Sequence, residues 1–419
     1  MGNDQSAPKA KHGDAQESSK SNQPPTTCEN RLELKSAAFE HQLTSGFDKL
    51  HAKLDSSHVD FNSTFSDCFG QELGAALFRS LSAESDRLNK DSYVRHGCDL
   101  LVRLSLDPCS VVGELVPEFS NFLRACCRPS GVWMSESGSD LKFAEAIKRA
   151  STSDRDEPCW RALNACCPRC CDDVSNLIRL RLTGEDFEVQ GPLAVSDILT
   201  PMQLWFVERS IPTSYLTECK STSTSSDDND KQVAVPACWT LLYQSAQHGL
   251  STNRFETHVL AYKAPTVTLV HLVDDSLCAV AIDQSWRESS VPFGGVDCLC
   301  VTLLPDCARH ENVTVCMNMN GRSATGITVK SERSQPLISI LPDLSNVDAL
   351  EVWGCGPPTA LAMQQQHKRW EQRQAEHRSK VPLPGRWDEN PDRSLMEMAG
   401  VGAFAHSDIV REKIDRDRE

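Results

Sequence analysis

Thr266-Val-Thr-Leu-Val-His-Leu-Val273, Asp274-Asp-Ser276 and Leu277-Cys-Ala-Val-Ala-Ile-Asp283 read as two β-strands joined by a tight turn. Both runs are apolar almost throughout and bounded by turn residues, as short strands are. Further short runs of this kind lie on either side, at 239–244, 298–304, 313–319 and 347–353. Gly294-Gly295 and Asn320-Gly321 mark turns between them, and a helical pattern around 252–262 interrupts them. Strands this close, without a helix in every gap, predict antiparallel sheets rather than a doubly wound parallel one.

Upstream, residues 31–190 predict an all-helical domain. Leu43, Phe47, Leu50 and Leu54 share one helical face, and Leu73, Leu77 and Leu81 recur every four residues. Val112, Leu115, Phe119, Phe122 and Cys126 continue the pattern, as do Leu163, Val174, Leu177 and Ile178, with Pro108, Pro117, Pro129 and Pro158 as punctuation. Helices in pairs suggest an EF-hand-like plan. Asp86, Asn89 and Asp91 come nearest to a calcium loop, but they lack its glycine and its closing glutamate, so the domain is read as degenerate and calcium-free. Residues 1–30, rich in Ser, Gln, Lys and Pro, are expected to be disordered.

Within residues 191–355 a Ser/Thr/Asp-rich stretch, 217–236, reads as a flexible insertion. Residues 356–419 form a C-terminal tail: a polar helix over 359–380, a proline-rich linker, and an apolar patch at Leu395, Met398, Val401 and Ile409. That patch either binds a partner's groove or packs back on its own domain.

The 419-residue chain is too long for one ordinary core. Its net charge of -15 excludes a general nucleic-acid binder, which needs clustered cations to neutralise phosphates. The sequence offers neither a membrane-length apolar run nor a signal core, so a reducing compartment is expected and the 19 cysteines are read as free thiols. Met1-Gly2-Asn3-Asp4-Gln5-Ser6 fits the N-myristoylation pattern with Gly2 as acceptor, which gives weak, reversible membrane residence.

Chemistry is sought and not assigned. There is no G-x-S-x-G or H-E-x-x-H. Gly321-Arg-Ser-Ala-Thr-Gly326-Ile327-Thr328 has phosphate-loop glycines, but Ile327 replaces the lysine, so it reads as a loop and strand. Cys166-Cys167-Pro168-Arg169-Cys170-Cys171 contains two overlapping C-x-x-C pairs that could ligate zinc or form a dithiol. No second ligand pair is evident, so neither metal nor cofactor is assigned. His248 is read as shaping a turn, Glu351 as paired inside a strand, and Trp239, Trp286 and Trp353 as core or rim anchors.

Trp239-Thr-Leu-Leu-Tyr, His248-Gly249-x-Ser251 leading to Phe255, the strand pair ending at Trp286, and Leu350-Glu351-Val-Trp353 together resemble a TLDc domain. With the Met-Gly start, the helical lead-in and the tail Asp392-Arg-Ser-Leu395-Met-Glu397-Met-Ala-Gly400, the chain is similar to the EAK/MEAK, mTOR-associated subgroup. The resemblance implies a β-sandwich of two antiparallel sheets with flanking helices and no established catalytic residues. It also implies association with the vacuolar proton pump (V-ATPase), a link to oxidative-stress resistance, and a peripheral cytoplasmic location at the lysosome or other endomembranes. Cys278-Ala-Val-Ala-Ile-Asp283 departs from the family's Phe-Gly-Gly-Phe-like strand, and the domain is expected to be shortened between 315 and 350. The expected function is a non-enzymatic regulator of mTOR-type signalling. An oxidation-resistance protein using Cys166, Cys167, Cys170 and Cys171, and a zinc-stabilised interaction module, remain open.

Overall fold

A computed structural model describes residues 38–50, 61–82, 88–135, 138–151, 159–189, 191–216, 239–319 and 324–380, with 219–220, 234–235 and residue 398. Gly2, Leu54, Asp86, Leu395, Val401 and Ile409 lie outside the described residues; Met398 is exposed. The chain divides into two compact units. One is helical, ending at Ser210 and including Pro305–Arg309; the other runs from Ile211 to Leu304 and resumes at His310.

The helical unit contains α1 (38–50), α2 (Phe61–Phe69), α3 (Gln71–Ser82), α4 (Lys90–Leu106) and α5 (Pro108–Leu115). It continues with α6 (Phe119–Cys127), α7 (Ser139–Ser151), α8 (Cys159–Cys166), α9 (Asp172–Leu182) and α10 (Pro201–Ser210). The four-residue apolar repeats make the core: Leu43, Leu77, Leu81, Val112, Leu163, Val174 and Ile178 are all fully buried. Asn89, one of the residues suggesting a calcium loop, caps α4 instead: its side-chain oxygen accepts from the Ser92 N–H at 2.7 Å. α10 belongs here because Phe206 meets Phe143 of α7 edge-to-face at 5.0 Å. The boundary is therefore at 210/211, not at the change of pattern near Gly191. Pro305–Arg309 is held by Arg149, which bonds the Pro305 carbonyl and pairs with Asp306 at 3.3 Å.

The second unit is a β-sandwich with its own helices, so the chain is α+β as expected. Strands are β1 (Cys219–Lys220), β2 (Ala234–Val235), β3 (Thr240–Gln244), β4 (Thr266–Leu272), β5 (Leu277–Ile282) and β6 (Ser289–Phe293). They continue with β7 (Leu299–Leu304), β8 (Ala308–Glu311), β9 (Thr314–Asn318), β10 (Gly326–Lys330), β11 (Pro336–Ile340) and β12 (Val347–Gly354). Helices α11 (Ser245–His248) and α12 (Thr252–Val259) follow β3, and α13 (Pro358–Lys380) follows β12. One sheet has the order β3-β12-β4-β5-β7-β8 and the other β11-β10-β9-β6. From β3 to β7 in the first sheet, and throughout the second, neighbouring strands run antiparallel. Inward residues of both sheets, among them Val280, Ile282, Val315, Met317, Ile327 and Ile340, form one core with Phe255 and Val259 of α12. Leu277, Ala279 and Ala281, which alternate with the core residues of β5, are buried too. That double burial explains the unbroken apolar run.

One expectation changes. The segment between 315 and 350 is not short of strands: β10 and β11 fill it and supply half of the four-stranded sheet. The sequence hides them because Thr328, Ser339 and the exposed Pro336 interrupt their apolar residues. β10 begins at Gly326, whose φ of 79° and close approach to the Ile340 carbonyl leave no room for a Cβ. The insertion 217–236 has its ends joined, Cys219 opposite Val235 and Lys220 opposite Ala234. The tail helix forms as expected, with Trp370 and Met363 exposed and Gln364 buried, donating to the His258 carbonyl at 2.6 Å. Among the described residues no helix is long and apolar enough to cross a membrane.

If β10 is part of the core, Ile327→Ala should destabilise the sandwich by about 2–5 kcal/mol in urea unfolding, the usual cost of emptying a buried Ile site. An unchanged midpoint would place Ile327 outside the core.

Candidate functional site

The signature residues gather where β3 turns into α11 and α12 and lies beside β12. α11 is a single turn ending at Gly249, whose φ of 74° is the left-handed conformation a Cβ disfavours. The Tyr243 hydroxyl donates to the Gly249 carbonyl at 2.8 Å, and the Gln244 N–H donates to Nδ1 of His248 at 3.1 Å. The His248 ring stacks on Tyr243 at 5.6 Å and lies 4.1 Å from the His258 ring. Burial, followed by the nearby Lys368 and His248, lowers the His258 pKa below its ordinary 6.5. Ser251 stands at the N-cap of α12 without a side-chain capping bond, so it is the chain direction there that the helix uses.

From Tyr243 a row of edge-to-face rings crosses the core: Tyr243 to Phe255 at 5.5 Å, Phe255 to Trp286 at 5.5 Å, and Trp286 to Phe293 at 6.3 Å. Such contacts stabilise by about 0.5–1.5 kcal/mol each beyond their burial. The indole of Trp286 donates to Thr266 Oγ1 at 3.0 Å and that of Trp239 to the Tyr215 carbonyl at 3.2 Å. Beside this row, Glu351 stands opposite Gln244 in the β12–β3 ladder and is 1 % exposed. Its Oε1 accepts from Gln244 Nε2 at 3.3 Å and its Oε2 from the indole of Trp353 at 3.0 Å. Ser245 Oγ accepts from the Leu350 N–H at 3.0 Å, a further tie between the two ends of the domain.

The structure thus brings Trp239, His248, Gly249, Ser251, Phe255, Trp286, Glu351 and Trp353 into one region of the sandwich. Hydrogen bonds of His248 and Trp239 run to backbone, Trp286 bonds Thr266, and Glu351 bonds Gln244 and Trp353. The arrangement provides cohesion. Sequence reasoning missed Tyr243, Gln244, Tyr262 and Asp283, which do the same work. The Tyr262 hydroxyl accepts from the Gly356 N–H at 2.8 Å, and Asp283 Oδ1 accepts from the Gly295 N–H at 2.8 Å and the Cys298 thiol at 3.0 Å. The available signal was a polar residue closing an apolar strand, as Gln244 and Asp283 do.

The cysteine hexapeptide is divided. Cys166 ends α8 and directs its thiol at the Cys307 carbonyl, 3.9 Å away. The Cys307 thiol and, less strongly, Arg309 draw its pKa down to about 7. Cys167 donates to the Phe206 carbonyl at 3.6 Å. Cys170 and Cys171 turn the other way, towards Cys109 of α5 and Cys126 of α6. The expected cluster of Cys166, Cys167, Cys170 and Cys171 is therefore gathered only in part: Cys167 keeps a side-chain contact with Cys170, while Cys166 turns to Cys307.

Antiparallel sheets, the aromatic row and the buried carboxyl tie define a β-sandwich whose polar groups serve its own packing. The family described as TLDc domain matches residues 229–329, and the chain carries a TLDc domain there. Curated relatives share a shorter stretch. Restriction of telomere capping protein 5 of Colletotrichum graminicola is 46% identical over 59 residues, 14% of this chain and 10% of that protein. The protein of the same name from Pyrenophora tritici-repentis is 44% identical over 59 residues, 14% and 9% of the two chains. That of Pyricularia oryzae is 47% identical over 55 residues, 13% and 9%. The chain thus covers about a tenth of the length of these relatives. They carry a different name from the EAK/MEAK proteins.

A cohesive role makes a graded prediction. Tyr243→Phe should cost about 1 kcal/mol and Glu351→Ala about 3 kcal/mol of unfolding free energy, the range for a neutral bond and for a charged hydrogen-bonded group. A Glu351→Ala chain as stable as the parent would show that the carboxyl tie holds nothing together.

Proposed function

We propose that this chain is a non-enzymatic regulator that docks on a large membrane-bound partner through its TLDc domain and tail. The partner proposed is the V-ATPase of the lysosome, and the effect is on mTOR-type nutrient and stress signalling, as in the EAK/MEAK subgroup it resembles. The helical unit serves as a calcium-free, EF-hand-like scaffold, and Gly2-linked myristate gives reversible, peripheral residence on the cytoplasmic side. No cofactor is required. The observation that supports this reading is the inward engagement of His248, inside the TLDc match at 229–329, and of Glu351, which lies beyond that match in the same sandwich. Residues with the chemistry for catalysis are used to hold the platform together.

The name of the curated relatives supplies a second reading, a part in restricting telomere capping. With a net charge of -15, such a part would run through protein contacts rather than through bare DNA. The oxidation-resistance alternative is weakened by the burial of Cys170 and Cys171, each 1% exposed, since a turning-over thiol must be reached by its oxidant.

Gly2→Ala should move the protein from the membrane fraction to the soluble fraction of cells while leaving its thermal unfolding unchanged; persistence on membranes would exclude the lipid as the anchor. Deleting 392–419 should reduce recovery of pump subunits several-fold in affinity purification. Unchanged recovery would exclude the tail from the interface, and recovery of telomere proteins in place of the pump would favour the second reading.

A further inference from the structure

Four thiols of the helical unit meet inside its core. Cys109 lies in the first turn of α5, Cys126 near the end of α6, and Cys170 and Cys171 in the turn that starts α9. The sulfur atoms of Cys109 and Cys170 are 3.5 Å apart, those of Cys170 and Cys171 3.7 Å, and those of Cys126 and Cys171 3.7 Å. The sulfurs of Cys109, Cys170 and Cys171 all lie within 4.8 Å of one another, and all four residues are buried. A zinc–thiolate bond of about 2.3 Å in tetrahedral geometry places its sulfurs about 3.8 Å apart. The three printed edges match that length, and Cys126, outside the group of three, joins it through its 3.7 Å approach to Cys171.

We propose that Cys109, Cys126, Cys170 and Cys171 form a structural zinc site. Binding replaces four S–H bonds with four S–Zn bonds and releases four protons, so the ion and its ligands carry a net charge of -2 with no change of oxidation state. The fold supplies what that excess charge needs. Cys109 sits at the N-terminal turn of α5 and Cys171 at the N-cap of α9, where helix dipoles favour an anion. The Asn164 amide stands 3.4 Å from the Cys109 sulfur, and a half-turn of that amide presents an N–H to a thiolate. A closed, all-thiolate, water-excluding set is the chemistry of a structural zinc rather than a catalytic one, which would keep an open position. The ion would join three segments, α5, α6 and the α8–α9 turn, in place of a disulfide.

The test uses the full-length chain purified with zinc and no chelator. Metal analysis should give one zinc per chain. Cobalt substituted for zinc should show the intense visible bands and sulfur-to-metal charge transfer of a tetrahedral thiolate set, a readout independent of activity. Cys109→Ser and Cys170→Ser should abolish zinc retention, while Cys166→Ser and Cys307→Ser, as controls from the other thiol pair, should retain it. Cys126→Ser should change the cobalt spectrum to that of three sulfurs; an unaltered four-sulfur spectrum would overturn its assignment as fourth ligand. A folded, metal-free wild-type chain with these thiols free, or joined in a disulfide on non-reducing mass analysis, would overturn the site. Because the cobalt spectrum and the metal content are read on the wild type, the site stands or falls even where a variant fails to fold.

Discussion

Glu351 carries a carboxyl group into the middle of a six-stranded sheet, where removal from water costs several kcal/mol unless donors surround it. Gln244 and Trp353 are those donors, and they dictate the strand order. β12, the last strand, lies between β3 and β4, the first two of that sheet. β4, β5 and β7 can pair as a local meander, but among the described residues β3 joins the sheet through β12, more than a hundred residues later. The domain therefore closes by a non-local step, and the buried carboxyl favours one register. A one-residue slip would turn Glu351 away from Gln244 and move Val352 and Leu350, fully buried in the sandwich core, to the opposite face.

The same tie organises what precedes it. Gln244 both ends β3 and donates its N–H to His248, so the sheet edge fixes the one-turn helix, and that helix sets Gly249 and the start of α12. α12 then delivers Phe255 to the aromatic row. Backbone, buried polar pair and rings form a single cooperative unit, a role in which a polar group confers specificity as much as stability.

The sandwich is legible in the sequence where burial is two-sided. β4, β5 and β7 are recognisable because nearly every residue is apolar, and their limits come within a residue or two of those the apolar runs suggest. β6 and β11 are not, since Ser290, Val291 and Pro292 of β6 and Pro336 and Ser339 of β11 face solvent and give no apolar run. Of the site, the aromatic and glycine positions are legible one by one. Their bonds are not, because Gln244 meets Glu351 across 107 positions and no spacing rule reaches so far. The cysteine hexapeptide misleads for a related reason: adjacency in sequence is not adjacency in space. Cys109 and Cys126 come from separate helices, and only tertiary packing brings them to Cys170 and Cys171.

Position within an element, more than burial, separates the cysteines into two kinds. Among the described residues fifteen are free thiols and fourteen of those are buried. Cys278 and Cys300 lie mid-strand in the β5–β7 pair, where burial pushes the Cys300 thiol up to about 12 and raises Cys278 further. Nothing there favours a thiolate, and these residues behave as small apolar side chains filling the space between sheets. In the helical unit Cys109 stands in the first turn of α5 and Cys171 at the N-cap of α9, where helix dipoles favour an anion. There the hydrogen bonds of Cys170 and Cys171 lower the Cys109 pKa, while those two thiols are themselves raised. A high cysteine content therefore has no single meaning in this chain. What a thiol can do is set by whether its element ends or continues where the sulfur sits.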